Sequence, residues 1–122
     1  MTLGVVVASN TAAFAGIGVT TWTPSDNGPC AGPYGAGYTN FNDDTEIVKA
    51  YDWCADSRSV VGQYRVGTNA NPTYSVKVST GQGTSASVGN GIAEGTNVWI
   101  RTCISNNGGA PYGCSGWIKG VA

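Results

Sequence analysis

Across residues 73–79 every second side chain is apolar: Tyr74, Val76 and Val78 share one face, while Ser75, Lys77 and Ser79 share the other. A period of two is the mark of a strand with one buried side. Residues 96–104 repeat it, with Val98, Ile100 and Ile104 opposite Trp99, Arg101 and Cys103. So do residues 58–66, where Val60, Tyr64 and Val66 oppose Val61 and Arg65. Residues 46–54 form a further predicted strand carrying Ile47, Val48, Tyr51 and Trp53, and residues 84–88 and 115–121 add two more. With one or two strands near the N-terminus the total is about seven or eight. Short strands at this spacing predict an all-β fold, a single-domain antiparallel sandwich or small barrel.

Two stretches lack this alternation. Residues 23–44 are rich in Gly, Pro, Asn and Asp and predict a long loop, and loops of that length in compact domains are functional or tied down. Residues 1–22 are apolar. Their Ala13-Phe14-Ala15 step looks like a secretory cleavage site, but no Lys or Arg precedes Lys49, so the basic start of a signal is missing. The segment is therefore read as part of the fold, with residues 45–122 as the main β-sandwich and no second domain. Leu3, Val5 and Val7 share one face of this segment. With Phe14 and Ile17 they are the candidate interaction residues, able to pair with the chain's own sheet or add to a neighbouring subunit's sheet edge.

Composition narrows the function. The chain has 122 residues, of which 11% are charged, with a net charge of −1, 19 glycines and no histidine. Near-neutral charge gives nucleic acid or an anionic membrane no electrostatic hold. Four cysteines, Cys30, Cys54, Cys103 and Cys114, have no metal-site spacing and no imidazole to help. They predict two disulfides. Cys103 with Cys114 is favoured because a turn-rich segment joins them, and Cys30 with Cys54 then follows. Such a chain belongs outside the cell.

Catalysis has little to work with, since no histidine stands by a serine or cysteine, and the expectation is a non-enzymatic protein without a cofactor. Asp43, Asp44 and Glu46 form an acidic run that could supply part of a calcium shell, although no EF-hand spacing is present. The same carboxylates offer no recognisable acid and nucleophile pair for glycoside hydrolysis. Four tryptophans and six tyrosines could build a sugar-stacking platform or a hot spot for a protein partner.

Two stretches, DWCADSRSVVGQYRV (residues 52–66) and VWIRTCISNNGGAPYGCSGWIKG (residues 98–120), resemble a group of small secreted actinobacterial proteins. That group shows a cysteine-aspartate step before an alternating strand, then an Arg-x-Cys strand, a turn-rich loop and a Cys-x-x-Trp ending. Members place one cysteine between the two stretches, whereas here the fourth is Cys30, upstream. The resemblance implies export and a disulfide-stapled β-fold. Some small proteins of this kind are connector subunits of secreted toxin particles. The leading expectation is therefore a secreted structural or interaction protein that works by assembly. The alternatives are a hydrolase inhibitor presenting the loop of residues 105–113, and a carbohydrate-binding module, which would need two or more coplanar, exposed tryptophans.

Overall fold

The computed structural model describes residues 16–24, 35–54, 58–89, 91–106 and 108–122. Among them are eight strands and no helix: β1 (Val19–Trp22), β2 (Gly37–Asn42), β3 (Ile47–Asp52), β4 (Ser59–Val66), β5 (Tyr74–Val78), β6 (Ser85–Gly89), β7 (Asn97–Ser105) and β8 (Ile118–Val121). They form two four-stranded antiparallel sheets, ordered β1-β2-β3-β6 and β5-β4-β7-β8. Their inner faces close on one core that contains Phe41 and Val48 from the first sheet and Val60, Val98 and Ile100 from the second. This is the predicted all-β sandwich.

The predicted loop over residues 23–44 needs correction, because β2 lies inside it. The inward positions of this strand are Gly37, Thr39 and Phe41, with Tyr38, Asn40 and Asn42 alternating outward. The period of two is present, but two of its three inward residues are glycine and threonine, so hydrophobicity does not display it. Gly37 is required there: a Cβ would come within 2.2 Å of the Tyr51 carbonyl oxygen and 2.7 Å of Val60. Two smaller differences concern Tyr74 and Ser115. Tyr74 shares the inward face of β5 but sits at its rim, 53% exposed, stacked on Tyr64 with ring centroids 5.4 Å apart. Residue 115 precedes β8 and holds to β7 instead: the Ser115 N–H donates to the Thr102 carbonyl (2.8 Å), and the Thr102 N–H donates to the Ser115 hydroxyl (3.0 Å).

The acidic run is a hairpin turn. The side-chain oxygen of Asn42 accepts from the N–H groups of Asp44 (2.9 Å) and Thr45 (3.2 Å). The Glu46 N–H donates to the Asn42 carbonyl (2.8 Å), and Glu46 itself takes a left-handed conformation with φ 57°. Asparagine's ability to cap its own turn explains why β2 reverses here into β3.

At the N-terminal side, Ile17 exchanges both backbone hydrogen bonds with Val121 of β8 (2.8 and 2.9 Å), and two residues later β1 pairs with β2. Residues 17–22 thus pass from the edge of one sheet to the edge of the other within one chain. Gly120 permits the crossing, because a Cβ there would sit 2.7 Å from the Ile17 carbonyl oxygen. Of the interaction candidates only Ile17 is described, and it is exposed. Leu3, Val5, Val7 and Phe14 lie outside the described residues.

Cys103 and Cys114 are bonded as predicted, with 11 residues of separation. Cys54 is also disulfide-bonded, while its predicted partner Cys30 lies outside the described residues. Replacing Cys103 and Cys114 together by serine is expected to lower stability by about 2–3 kcal/mol through the entropy of the opened loop. Urea unfolding of the two proteins measures it.

Candidate functional site

The strand register sets Trp22, Tyr38 and Tyr51 side by side across β1, β2 and β3. Their neighbours Thr21, Thr39 and Ala50 are buried, so alternation turns the three rings to the outer face of the first sheet. Tyr38 stacks on Tyr51 with centroids 5.2 Å apart and planes at 17°, and Trp22 meets Tyr38 edge-on at 5.0 Å. Trp53, just past β3, closes the row, 6.0 Å from Trp22 and 6.4 Å from Tyr51. Half of Trp53 is open to solvent. With Tyr51, Gln82 and Gly83 it lines a shallow depression of about 460 Å³.

Backbone and side-chain bonds hold Trp53 in place. Its N–H donates to the Ala36 carbonyl (2.8 Å), and its own carbonyl accepts from the Gln82 side chain (3.3 Å). Just before it, Asp52 is 2% exposed and braces the segment. Its carboxylate accepts from the Cys54 N–H (3.1 Å), and its main chain bonds Thr84 (2.9 Å) and Gly83 (2.8 Å). Although Asp52 follows the acidic run by only six residues, the fold sends it inward as a structural acceptor.

The outer face of the second sheet has a different character. Arg65 and Arg101 both lie against the Trp117 ring, with guanidinium carbons 4.3 and 4.7 Å from its centroid. Arg65 donates through Nε to the Thr73 hydroxyl (2.8 Å) and through Nη1 to the Asn69 side chain (3.1 Å) and the Asn69 carbonyl. Arg101 donates through Nε to the Gln63 side-chain oxygen (2.7 Å). Partial burial, and then the nearby Arg65 charge, hold the Arg101 guanidinium below its ordinary pKa. Trp99, on the same face, is half-buried with Lys119 5.9 Å from its ring, and its indole N–H has no hydrogen-bond partner among the described residues.

Other sequence candidates fall elsewhere. Asp43, Asp44 and Glu46 lie on the β2–β3 turn, and among the described residues no group of three or more His, Cys, Asp or Glu side chains could hold a metal ion. The 105–113 segment returns along β7: Tyr112 exchanges both backbone bonds with Ile104 (2.8 and 2.9 Å), and its hydroxyl donates to the Asn106 side chain (3.1 Å). The coplanar tryptophans that a flat sugar platform needs are not found in the aromatic row, where Trp22 and Trp53 stand at 87°.

Arg65 and Arg101 were legible as outward residues of their strands. Their convergence on Trp117 was not, because it depends on how β4, β7 and β8 are placed side by side. No protein-family model, no curated protein and no solved structure matches the chain, so its function is read from these two faces.

Proposed function

We propose that the protein is a secreted, non-enzymatic interaction module that docks a protein partner, another subunit or a larger extracellular complex, through the aromatic row of the first sheet. The observation that carries this reading is the Trp22, Tyr38, Tyr51 and Trp53 cluster, packed ring on ring with Trp53 half-exposed at its end. Aromatic residues held rigid by one another lose little entropy on binding and dominate the energetics of protein contacts. Perpendicular rings favour a shaped protein surface over a flat sugar. The Cys103–Cys114 bridge supports an oxidising compartment. A connector role for the N-terminal apolar segment is a narrower proposal, and for residues 17–22 the observed pairing favours the chain's own sheets.

Trp53→Ala tests the reading. The variant is expected to keep its fold within about 1 kcal/mol, since Trp53 is half-exposed. It should weaken partner binding or self-association by about 30-fold or more, the mark of a hot spot. A photo-crosslinking residue at position 53 identifies the partner, and the same residue at position 17 serves as comparison. Cross-links from 17 alone, with Trp53→Ala binding as before, would move the contact to the N-terminal edge.

A further inference from the structure

Each strand of the β5-β4-β7-β8 sheet sets one cation on the outer face: Lys77, Arg65, Arg101 and Lys119 in sheet order. By register Arg65 and Lys119 flank Trp99, Arg101 lies two residues further along β7, and Lys77 stands opposite Val61, four residues along β4 from Arg65, so the four charges spread about 14 Å across the strands and about 13 Å along them. The residues sharing this face by register, among them Val61, Gln63, Ser75, Trp99 and Ser105, include no carboxylate. None of the four cations has an ion-pair partner among the described residues. Four of the six basic residues of a chain with a net charge of −1 therefore lie on this face, without an ion pair among the described residues, around a patch where Val61, Gln63 and Cys103 are buried.

Among them, two like charges are held against one ring, that of Trp117. The Nε donors of Arg65 and Arg101 are used to fix the guanidinium planes on Thr73 and Gln63. Nη2 of Arg65 and both terminal nitrogens of Arg101 make no hydrogen bond among the described residues. Pre-oriented guanidinium donors without a counter-charge among the described residues suit a planar or tetrahedral oxyanion, which also relieves the repulsion between them.

We infer that this face binds an acidic polysaccharide, with one sulfate or carboxylate group seated between Arg65 and Arg101 and further anionic groups reaching Lys119 and Lys77. The spread of the four charges, wider than one ion can span, suits a polymer rather than a single ion. An extended peptide fits less well, because backbone groups in the middle of a sheet are already used in the ladder and cannot add a strand. Single-stranded nucleic acid relies on exposed aromatic faces for its bases, and here arginine covers Trp117 and Lys119 lies over Trp99. The inference stands independently of the aromatic row on the opposite sheet.

The test is titration of the full chain, labelled with ¹⁵N, with a sulfated tetrasaccharide and with a tetragalacturonate, following the arginine Nε–H signals. Neutral cellotetraose, inorganic sulfate and an oligothymidylate are run beside them. Saturable shifts at Arg65 and Arg101 are expected with one or both acidic glycans, and they should weaken as salt shortens the screening length from about 30 Å at 0.01 M to about 8 Å at 0.15 M. Arg65→Gln and Arg101→Gln should each reduce affinity about tenfold. Should either variant lose its fold, Lys119→Gln, which changes only an exposed side chain, should still reduce affinity about two- to fivefold. The inference is overturned by unchanged arginine signals, by the same shifts with cellotetraose, by sulfate alone binding as well as the tetrasaccharide, or by tighter binding of the oligothymidylate.

Discussion

Phe41→Ala is expected to destabilise the protein by about 3–5 kcal/mol, the cost of emptying a large aromatic site in a closed core. Phe41 is fully buried and heads the largest fully buried side chains among the described residues. On β2 it pairs with Val19 on one side and Val48 on the other. Its ring also reaches the second sheet, where a Cβ added at Gly120 would lie 3.1 Å from it. Removing the ring therefore loosens both sheets at once. Stability of a small domain is about 5–15 kcal/mol in all, so the loss takes a large share. The urea midpoint should fall with little change in slope. A loss below about 1 kcal/mol would mean that β2 is not part of the core.

Phe41 also shows why the fold was legible in one half of the chain and not the other. Strands β4, β5 and β7 fill their inward positions chiefly with Val, Ile and Tyr, so alternation of hydrophobicity marks them directly. Strand β2 carries the same alternation in Gly37, Thr39 and Phe41, and a glycine and a threonine on the inner face read as loop residues. They are inward because the sheets come close together there. Gly62 of β4 faces the same place, and a Cβ on it would stand 2.8 Å from the Thr39 hydroxyl. Close approach selects small residues, and that selection erases the hydrophobic signal.

The candidate surfaces were legible only in part, for a related reason. Alternation alone turns Arg65, Arg101 and Trp99 outward. Which of them meet depends on pairing register between strands far apart in sequence, such as Gln63 with Arg101 and Trp99 with Lys119. The aromatic row is subject to the same limit, since Trp22, Tyr38 and Tyr51 come from three different strands. The Cys103–Cys114 bridge was the exception, because its two cysteines are joined by a short turn-rich segment and the pairing is local.

Thr102→Val should cost about 2–5 kcal/mol although it preserves shape, β-branching and burial, because it leaves polar partners stranded in the core. The Thr102 hydroxyl lies 2.6 Å from that of Thr21, 2.8 Å from that of Thr39 and 2.9 Å from the Thr21 carbonyl oxygen. One proton and two lone pairs match those three contacts in number. All three threonines are buried, and they tie β1 and β2 of one sheet to β7 of the other. With valine at 102, the Thr21 hydroxyl loses its partner and Thr39 keeps only a long bond of 3.4 Å to the Arg101 carbonyl. The decisive measurement is a cycle. Adding Thr21→Val to Thr102→Val removes the stranded hydroxyl itself, so the double variant should be at least as stable as Thr102→Val alone. If the two losses simply add, the hydroxyls act independently, and the sandwich is joined at this point by side-chain packing rather than by a polar network.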